Sequence, residues 1–229
     1  MDAEAEPELA KGRGGDALKL RERAYESIIE KLIARDFSPG EFVSQRQLVA
    51  RTGLPLGAIR EIIPRLESEG LLVTVPQRGI QIAHVDLNLI REAFQFRLFL
   101  EKEAIGVFTA QASDAAIAAL RAEHEAMLAL ALSRTLTKDE EAEAQAIDWR
   151  LHDMFIDALG NSIISMAYRV NSVKLRLIHQ ERYRIDGRVV PVMREHLQVI
   201  AAIESRDPAR ATQAIADHID NARRLALTV

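Results

Sequence analysis

Asp148 and His152 stand four residues apart, and in a helix that spacing sends both side chains off one face about a turn from each other. A carboxylate oxygen and an imidazole nitrogen so placed suit two ligands of a single metal ion. His196 and His218 stand alone farther along the chain, each in a segment of helical period, and antiparallel packing of those segments can bring both onto the same centre. One carboxylate and three imidazoles suit zinc, nickel or another first-row divalent ion, with positions left for water or a ligand carboxylate. The chain has no cysteine, so disulfides and thiolate ligands are excluded and any metal rests on His and carboxylate. The same spacing also serves a surface Asp–His pair, and a lone helical histidine commonly serves as a hydrogen-bonded residue. From the residues alone both readings stand.

A second group of residues offers cations to an anionic partner. The net charge of −4 gives no global attraction to nucleic acid, so any contact must come from local patches. Arg60, four residues into a segment that begins at Leu56 and Gly57, carries a planar fork able to donate to guanine O6 and N7 together or to clamp a phosphate. Pairing with Glu61 or the surroundings of Glu67 on a solvated face is the alternative. Arg78 and Gly79, at a turn between two short β-branched runs, offer a charge and a backbone that can approach a minor groove; a turn arginine can equally be simply solvated. Asn171 is a polar residue between Val170 and Val173, suited either to line a cavity or to close an internal hydrogen bond.

These residues need elements to position them. At 229 residues, 48% hydrophobic and 28% charged, the chain is sized and composed for two globular domains. Residues 1–15 show no apolar period and read as a disordered tail. A helix over Leu18–Leu32 follows, ended by Ser38-Pro39-Gly40; Ser44 caps a short helix stopped by Thr52-Gly53, and another runs from Leu56 to about Glu69. Pro64 inside that helix deletes one backbone hydrogen bond, at a cost of about 3 kcal/mol unless the helix bends there, so a local bend is expected. Leu71–Val75 and Ile80–Val85 make a two-stranded wing. From Asp86 onward six helices with short links, broken at Ser113-Asp114, Thr137, Gly160-Asn161, Asp186-Gly187 and Pro208, imply an antiparallel bundle. The fold class is therefore mainly α, a winged helix-turn-helix over residues 16–85 followed by an all-α bundle over 86–229. No apolar run approaches the ~20 residues of a membrane span, and the acidic start is unlike a signal peptide, so a cytoplasmic protein with no membrane partner is expected.

Several runs of sequence carry a resemblance. Phe37-Ser38-Pro39-Gly40-Glu41, Leu48-Val49-Ala50-Arg51-Thr52-Gly53, Ile59-Arg60-Glu61, Arg65 through Leu71 and Val75-Pro76-Gln77-Arg78-Gly79 together resemble the DNA-binding domain of the GntR family. That resemblance implies DNA contacts from Arg35, Arg46, Leu56, Gly57, Arg60, Arg78 and Gly79. Where most members place a Ser-Arg-Thr-Pro-like run, this chain has Pro55-Leu56-Gly57-Ala58, which removes an arginine and a hydroxyl from the reading edge, so an operator sequence does not carry over. Arg97 through Glu101, Asp148 through His152, Gly160-Asn161, Glu195-His196 with Ile200, and Asp207-Pro208 leading to His218 resemble the FCD ligand-binding domain of the FadR-like branch. The resemblance implies Asp148, His152, His196 and His218 as a complete metal set, with zinc or nickel as cofactor, and a small carboxylate effector beside it. Arg97 matches an arginine aimed at such a carboxylate, its alternative being an ion pair with Glu101; Asn171 is the second effector candidate. His84, His124 and His179 match no ligand position and are expected at the surface or in the linker.

One winged helix makes few contacts, so a homodimer on a palindromic double-stranded operator is expected. The implied function is a transcriptional regulator, a repressor, whose operator affinity answers to the effector through the first bundle helix and the Ile82–Val85 segment; a regulator for which the metal itself is the signal is the alternative. A hydrolase using the same ligands with Glu195 as base lacks an H-E-x-x-H run and leaves the wing without a role, so no catalytic residue is assigned.

Overall fold

The computed structural model describes residues 9–182 and 187–228, with side chains from 18 to 179 and from 187 to 228. The chain divides into two compact units, Met1–Val85 and Asp86–Val229.

In the first unit α1 (Leu9–Ile33), α2 (Gln45–Thr52) and α3 (Leu56–Ser68) pack on one another, and α3 packs on β2 of a small sheet of β1 (Phe42–Val43), β2 (Leu72–Val75) and β3 (Gly79–Ile82). Residues 9–15 of the expected tail are helical: once the packed turns of α1 exist, each further residue adds a hydrogen bond at low cost. Residues 1–8 and Asp186 lie outside the described residues. The wing has three strands rather than two, ordered β1-β3-β2, all antiparallel, with Val43 opposite Ile80 and Thr74 opposite Ile80 on the other side. Two residues are too few to show an alternating pattern, which is why β1 could not be read from the sequence.

Caps explain where the short helices begin. Ser44 and Gln47 form a reciprocal capping box at the start of α2, and Gly53, at φ +70°, ends it and makes the turn into α3. The apolar face of α3, with Ile59, Ile62 and Leu66 all at most 1% exposed, is buried where α3 packs on α1 and α2, whose Ile28, Leu32 and Leu48 are also buried. The helix continues through Pro64 to Ser68. Its far end is tied to α1: the Tyr25 hydroxyl donates to Glu69 at 2.7 Å, and Arg65 lies 3.6 Å over the Tyr25 ring while holding Glu22 at 3.0 Å. The exposed start of α3 is thus carried by a helix fixed at its other end.

Gly40 sits at φ +76° with its N–H donating to Ile82 at 3.1 Å, and a Cβ there would lie 2.6 Å from the His84 ring. Gly40→Ala is expected to destabilise this unit by roughly 1–2 kcal/mol from the left-handed backbone alone. Scanning calorimetry of Gly40→Ala with and without His84→Ala checks it, the second change relieving only the contact with the ring.

The second unit is a bundle of α4 (Leu87–Gln111), α5 (Asp114–Ser133), α6 (Lys138–Asp157), α7 (Ser162–Arg182), α8 (Val189–Glu204) and α9 (Pro208–Thr228). Asp86, Ser113 and Thr137 cap α4, α5 and α6 through their side-chain oxygens, and Asp207 accepts from Ala209 and Arg210 at the start of α9. α4 packs on α6, α7 and α9, and α5 packs on α8, so α4 runs through the middle of the bundle. That placement explains two charged residues on one of its buried faces, Arg97 at 3% and Glu101 at 0% exposure.

Candidate metal centre and nucleic-acid interface

Every helix of the bundle sends a polar side chain toward one interior region. Asp148 and His152 come from α6, His196 from α8 and His218 from α9, and one ligand atom from each lies within 4.8 Å of all the others. His196 Nε2 is 3.3 Å from Asp148 Oδ1 and 3.4 Å from His218 Nε2, and His152 Nε2 is 4.0 Å from the same Asp148 oxygen. All four are buried. The spacing inside α6 and the packing of α8 on α9 together achieve the convergence.

Two of the imidazoles are held from behind by carboxylates. Glu101 accepts from His152 Nδ1 at 2.7 Å, and Glu195 accepts from His218 Nδ1 at 2.8 Å. With the proton on Nδ1, the Nε2 lone pairs of both rings face the space that the Asp148 oxygen also faces. One carboxylate and neutral imidazoles form a donor set that a divalent ion fits. Burial lowers the pKa of His196 and takes that of His218 well below its ordinary value, which keeps both rings in the neutral, ligating form. Burial alone would raise Asp148, yet the close approach of His196 and the neighbouring His152 and Arg97 hold its carboxyl far below the usual range.

Glu101 is the hub of the surrounding network. It accepts from Arg97 Nε at 2.7 Å, from Tyr168 of α7 at 2.6 Å and from His152. Burial works to raise its pKa, and Arg97 with His152 overcomes this and holds it down to about 2. Arg97 therefore makes the ion pair with Glu101, and its NH2 also donates to His152 Nε2. A cavity of about 20 Å³, room for about one water, opens beside the cluster, walled by Arg97, Asp148, Trp149, His179, Arg188 and His218 among others.

Asn171 is not on that wall. Its Nδ2 donates to the Ala93 carbonyl at 3.0 Å and joins α7 to α4, the internal hydrogen bond rather than the cavity role. His84 is exposed as expected, whereas His124 is 0% exposed on α5 with its ring 5.3 Å from that of His196, and His179 packs on Trp149 at the cavity. The burial of His124 follows from helix packing that an isolated histidine in an Ala-rich helix does not reveal, and His179 is half-buried. Glu101, Glu195 and Tyr168 were likewise not singled out as supports of the metal ligands; only the reciprocal position of Glu101 to Arg97 gave a signal.

In the first unit Arg46, Leu56, Gly57 and Arg60 are all exposed at the α2–α3 end of the helix-turn-helix. Arg60 Nε donates to Gln45 at 2.9 Å, so the guanidinium is oriented by α2 and not by Glu61 or Glu67; Glu67 instead accepts from the Thr74 N–H. Arg78 at the wing tip stacks 4.0 Å over Phe42. Gly79, at φ +99°, would put a Cβ 3.0 Å from the Val43 carbonyl, so the sheet itself needs glycine there. Arg35 is exposed after α1 at φ +64°. Arg51 is held by Glu41 at 2.6 Å.

No helix of the described residues is long and apolar enough to cross a membrane. The chain matches the family model of the FCD domain over residues 92–221 and that of the bacterial regulatory proteins of the gntR family over residues 20–82. It is 23% identical over 201 residues to the uncharacterized HTH-type transcriptional regulator YdhC of Bacillus subtilis, covering 86% of each chain. It is 25% identical over 207 residues to the HTH-type transcriptional repressor GlaR of Escherichia coli, covering 85% of this chain and 90% of that one. Among solved structures, McbR/YncC of E. coli shares the fold with a TM-score of 0.71 at 14% identity, over 90% of this chain and 96% of its own. With both halves matched in order, the chain belongs to the GntR family and is a DNA-binding transcriptional regulator carrying an FCD domain.

Proposed function

We propose that the protein is a cytoplasmic repressor whose operator affinity is set by a small carboxylate metabolite bound beside a divalent ion, zinc or nickel, on Asp148, His152, His196 and His218. The convergence of those four ligand atoms within 4.8 Å of one another is the observation that carries the reading. When bound, the ion supplies a buried positive centre with positions open to a carboxylate oxygen. Arg97 rather than Asn171 is the effector contact: it lines the cavity, and Glu101 anchors its Nε end while the NH2 end faces the ligands. One relative is named as a repressor, which supports the sign of regulation.

On the DNA side Arg46, Leu56, Gly57 and Arg60 meet the major groove, Arg78 and Gly79 meet the minor groove and Arg35 meets the backbone, in a homodimer on a palindromic site. The occupied centre shifts the balance between arrangements that differ in half-site spacing. The small cavity favours a second reading, in which the ion itself is the signal, because about 20 Å³ admits an ion and its water more readily than a metabolite.

Isothermal calorimetry with Zn²⁺ is expected to show one ion per chain, with His152→Ala weakening uptake by 100-fold or more. A mobility shift with metal-loaded protein then separates the two readings. A metal that survives dialysis, with DNA affinity altered only by added carboxylates, supports the effector; weak metal binding that changes DNA affinity by itself supports the ion as signal. No uptake by the wild type sinks both.

A further inference from the structure

Each ligating histidine that has a visible support gives its Nδ1–H to a carboxylate, Glu101 for His152 and Glu195 for His218. His196 is the exception. Its Nδ1 is buried and has no hydrogen-bond partner, while its Nε2 faces Asp148 and His218 at the centre. Beside it stands His124 of α5, 0% exposed, its ring edge-on to that of His196 at 5.3 Å and an angle of 62°. The Nδ1 of His124 lies 2.7 Å from the Leu120 carbonyl, which can only accept, so that nitrogen carries the proton and Nε2 carries a lone pair. Nε2 of His124 is the other buried ring nitrogen without a partner.

The two orphaned atoms are complementary. A histidine that ligates through Nε2 keeps its proton on Nδ1, so His196 has a donor to place and His124 has an acceptor to fill. We propose that His124 is the positioning residue of His196, accepting its Nδ1–H directly after a small ring rotation or through one shared water, and thereby aiming Nε2 of His196 at the ion. The Leu120 carbonyl sets the tautomer of His124, and His124 sets that of His196. The third imidazole is thus braced by a neutral ring where the other two are braced by carboxylates. Nothing in the ligand spacing foretells this, since His124 lies 72 positions before His196 and on a helix that supplies no ligand.

The inference rests on the metal reading above, and the experiment keeps their failures apart. Competition for Zn²⁺ against a chromophoric chelator is run on the full chain, its His124→Phe and His124→Gln variants, and His152→Ala. His124→Phe, which keeps the ring volume and removes the acceptor, is expected to weaken Zn²⁺ by about 10–100-fold. His124→Gln, which offers a carbonyl acceptor, is expected to recover most of that loss. Nitrogen-15 NMR of the Zn²⁺-loaded wild type is expected to show His196 with a protonated, exchange-protected Nδ1 and His124 with an unprotonated Nε2. Equal Zn²⁺ affinity of wild type and His124→Phe, or an NMR spectrum with Nε2 of His124 protonated, overturns the role. A purely packing role would lower the melting temperature of metal-free protein without changing metal affinity, which also overturns it. Should His124→Phe fail to fold, the wild-type spectrum decides. Loss of Zn²⁺ uptake already in the wild type overturns the metal reading and this inference together, a result distinct from uptake that ignores His124.

Discussion

Glu101→Ala is expected to destabilise the C-terminal unit by about 3–5 kcal/mol and to lower its melting temperature by roughly 6–20 °C. The reason is what the carboxylate leaves behind. It is 0% exposed and accepts from Arg97, Tyr168 and His152 at 2.6–2.7 Å, so alanine removes the carboxylate that pairs with a buried guanidinium and the acceptor of two further donors. Removing one member of a buried pair is far more harmful than replacing both, because an uncompensated charge stays in the interior. Arg97→Met combined with Glu101→Ala is therefore expected to be less destabilised than Glu101→Ala alone. Glu101→Gln, which keeps the volume and one acceptor, should fall between. Urea denaturation of metal-free protein measures this without the contribution of a bound ion, and a loss below about 1 kcal/mol for Glu101→Ala would show that the network is not buried as described. The metal-loaded protein should suffer more, because His152 loses the carboxylate that orients it.

That network also shows which parts of the site the sequence discloses. Asp148 and His152 are legible because one helical turn separates them, and the alternative reading of Arg97, an ion pair with Glu101, is legible for the same reason. Local periodicity cannot show that Glu101 also reaches a ring 51 positions away, or that Tyr168 reaches it from 67 positions away, since those contacts exist only once α4, α6 and α7 pack. His196 and His218 are open candidates from residue type alone, and only the family resemblance joins them to Asp148 and His152 as one set. For Asn171 a polar residue in an apolar helix signals only that its hydrogen bonds must be satisfied; here the Ala93 carbonyl satisfies one, on the bundle's own framework. His124 misled, since the surrounding alanines of α5 leave no apolar stripe pronounced enough to reveal its burial. The winged helix was legible almost throughout, because caps, glycines and apolar period agree there. β1 is not legible there, a strand of two residues whose partner β3 lies nearly forty positions on.

Phe99→Glu is expected to convert a homodimer into a monomer and to weaken binding to a full palindromic operator by about 10²–10⁴-fold, the factor by which linked half-sites exceed a single one. Phe99 is 80% exposed and Phe96 37% on α4; Ile163 is 73% and Met166 60% exposed on α7. The Asn171–Ala93 and Tyr168–Glu101 bonds set these two helices side by side and antiparallel, and each carries exposed large apolar side chains. Large apolar side chains gathered on adjacent helices commonly mark an interaction face. A second copy is the occupant that the DNA reading requires, because a twofold site needs two winged helices held by one interface. Since Phe99 packs little within its own unit, the variant should retain its stability to within about 0.5 kcal/mol and keep its metal uptake. Sedimentation velocity reports the oligomeric state, and mobility shifts on full and half operators report the affinities. A variant that still sediments as a dimer places the interface elsewhere, and a monomeric variant with undiminished affinity for the full operator would mean that a single winged helix suffices for recognition.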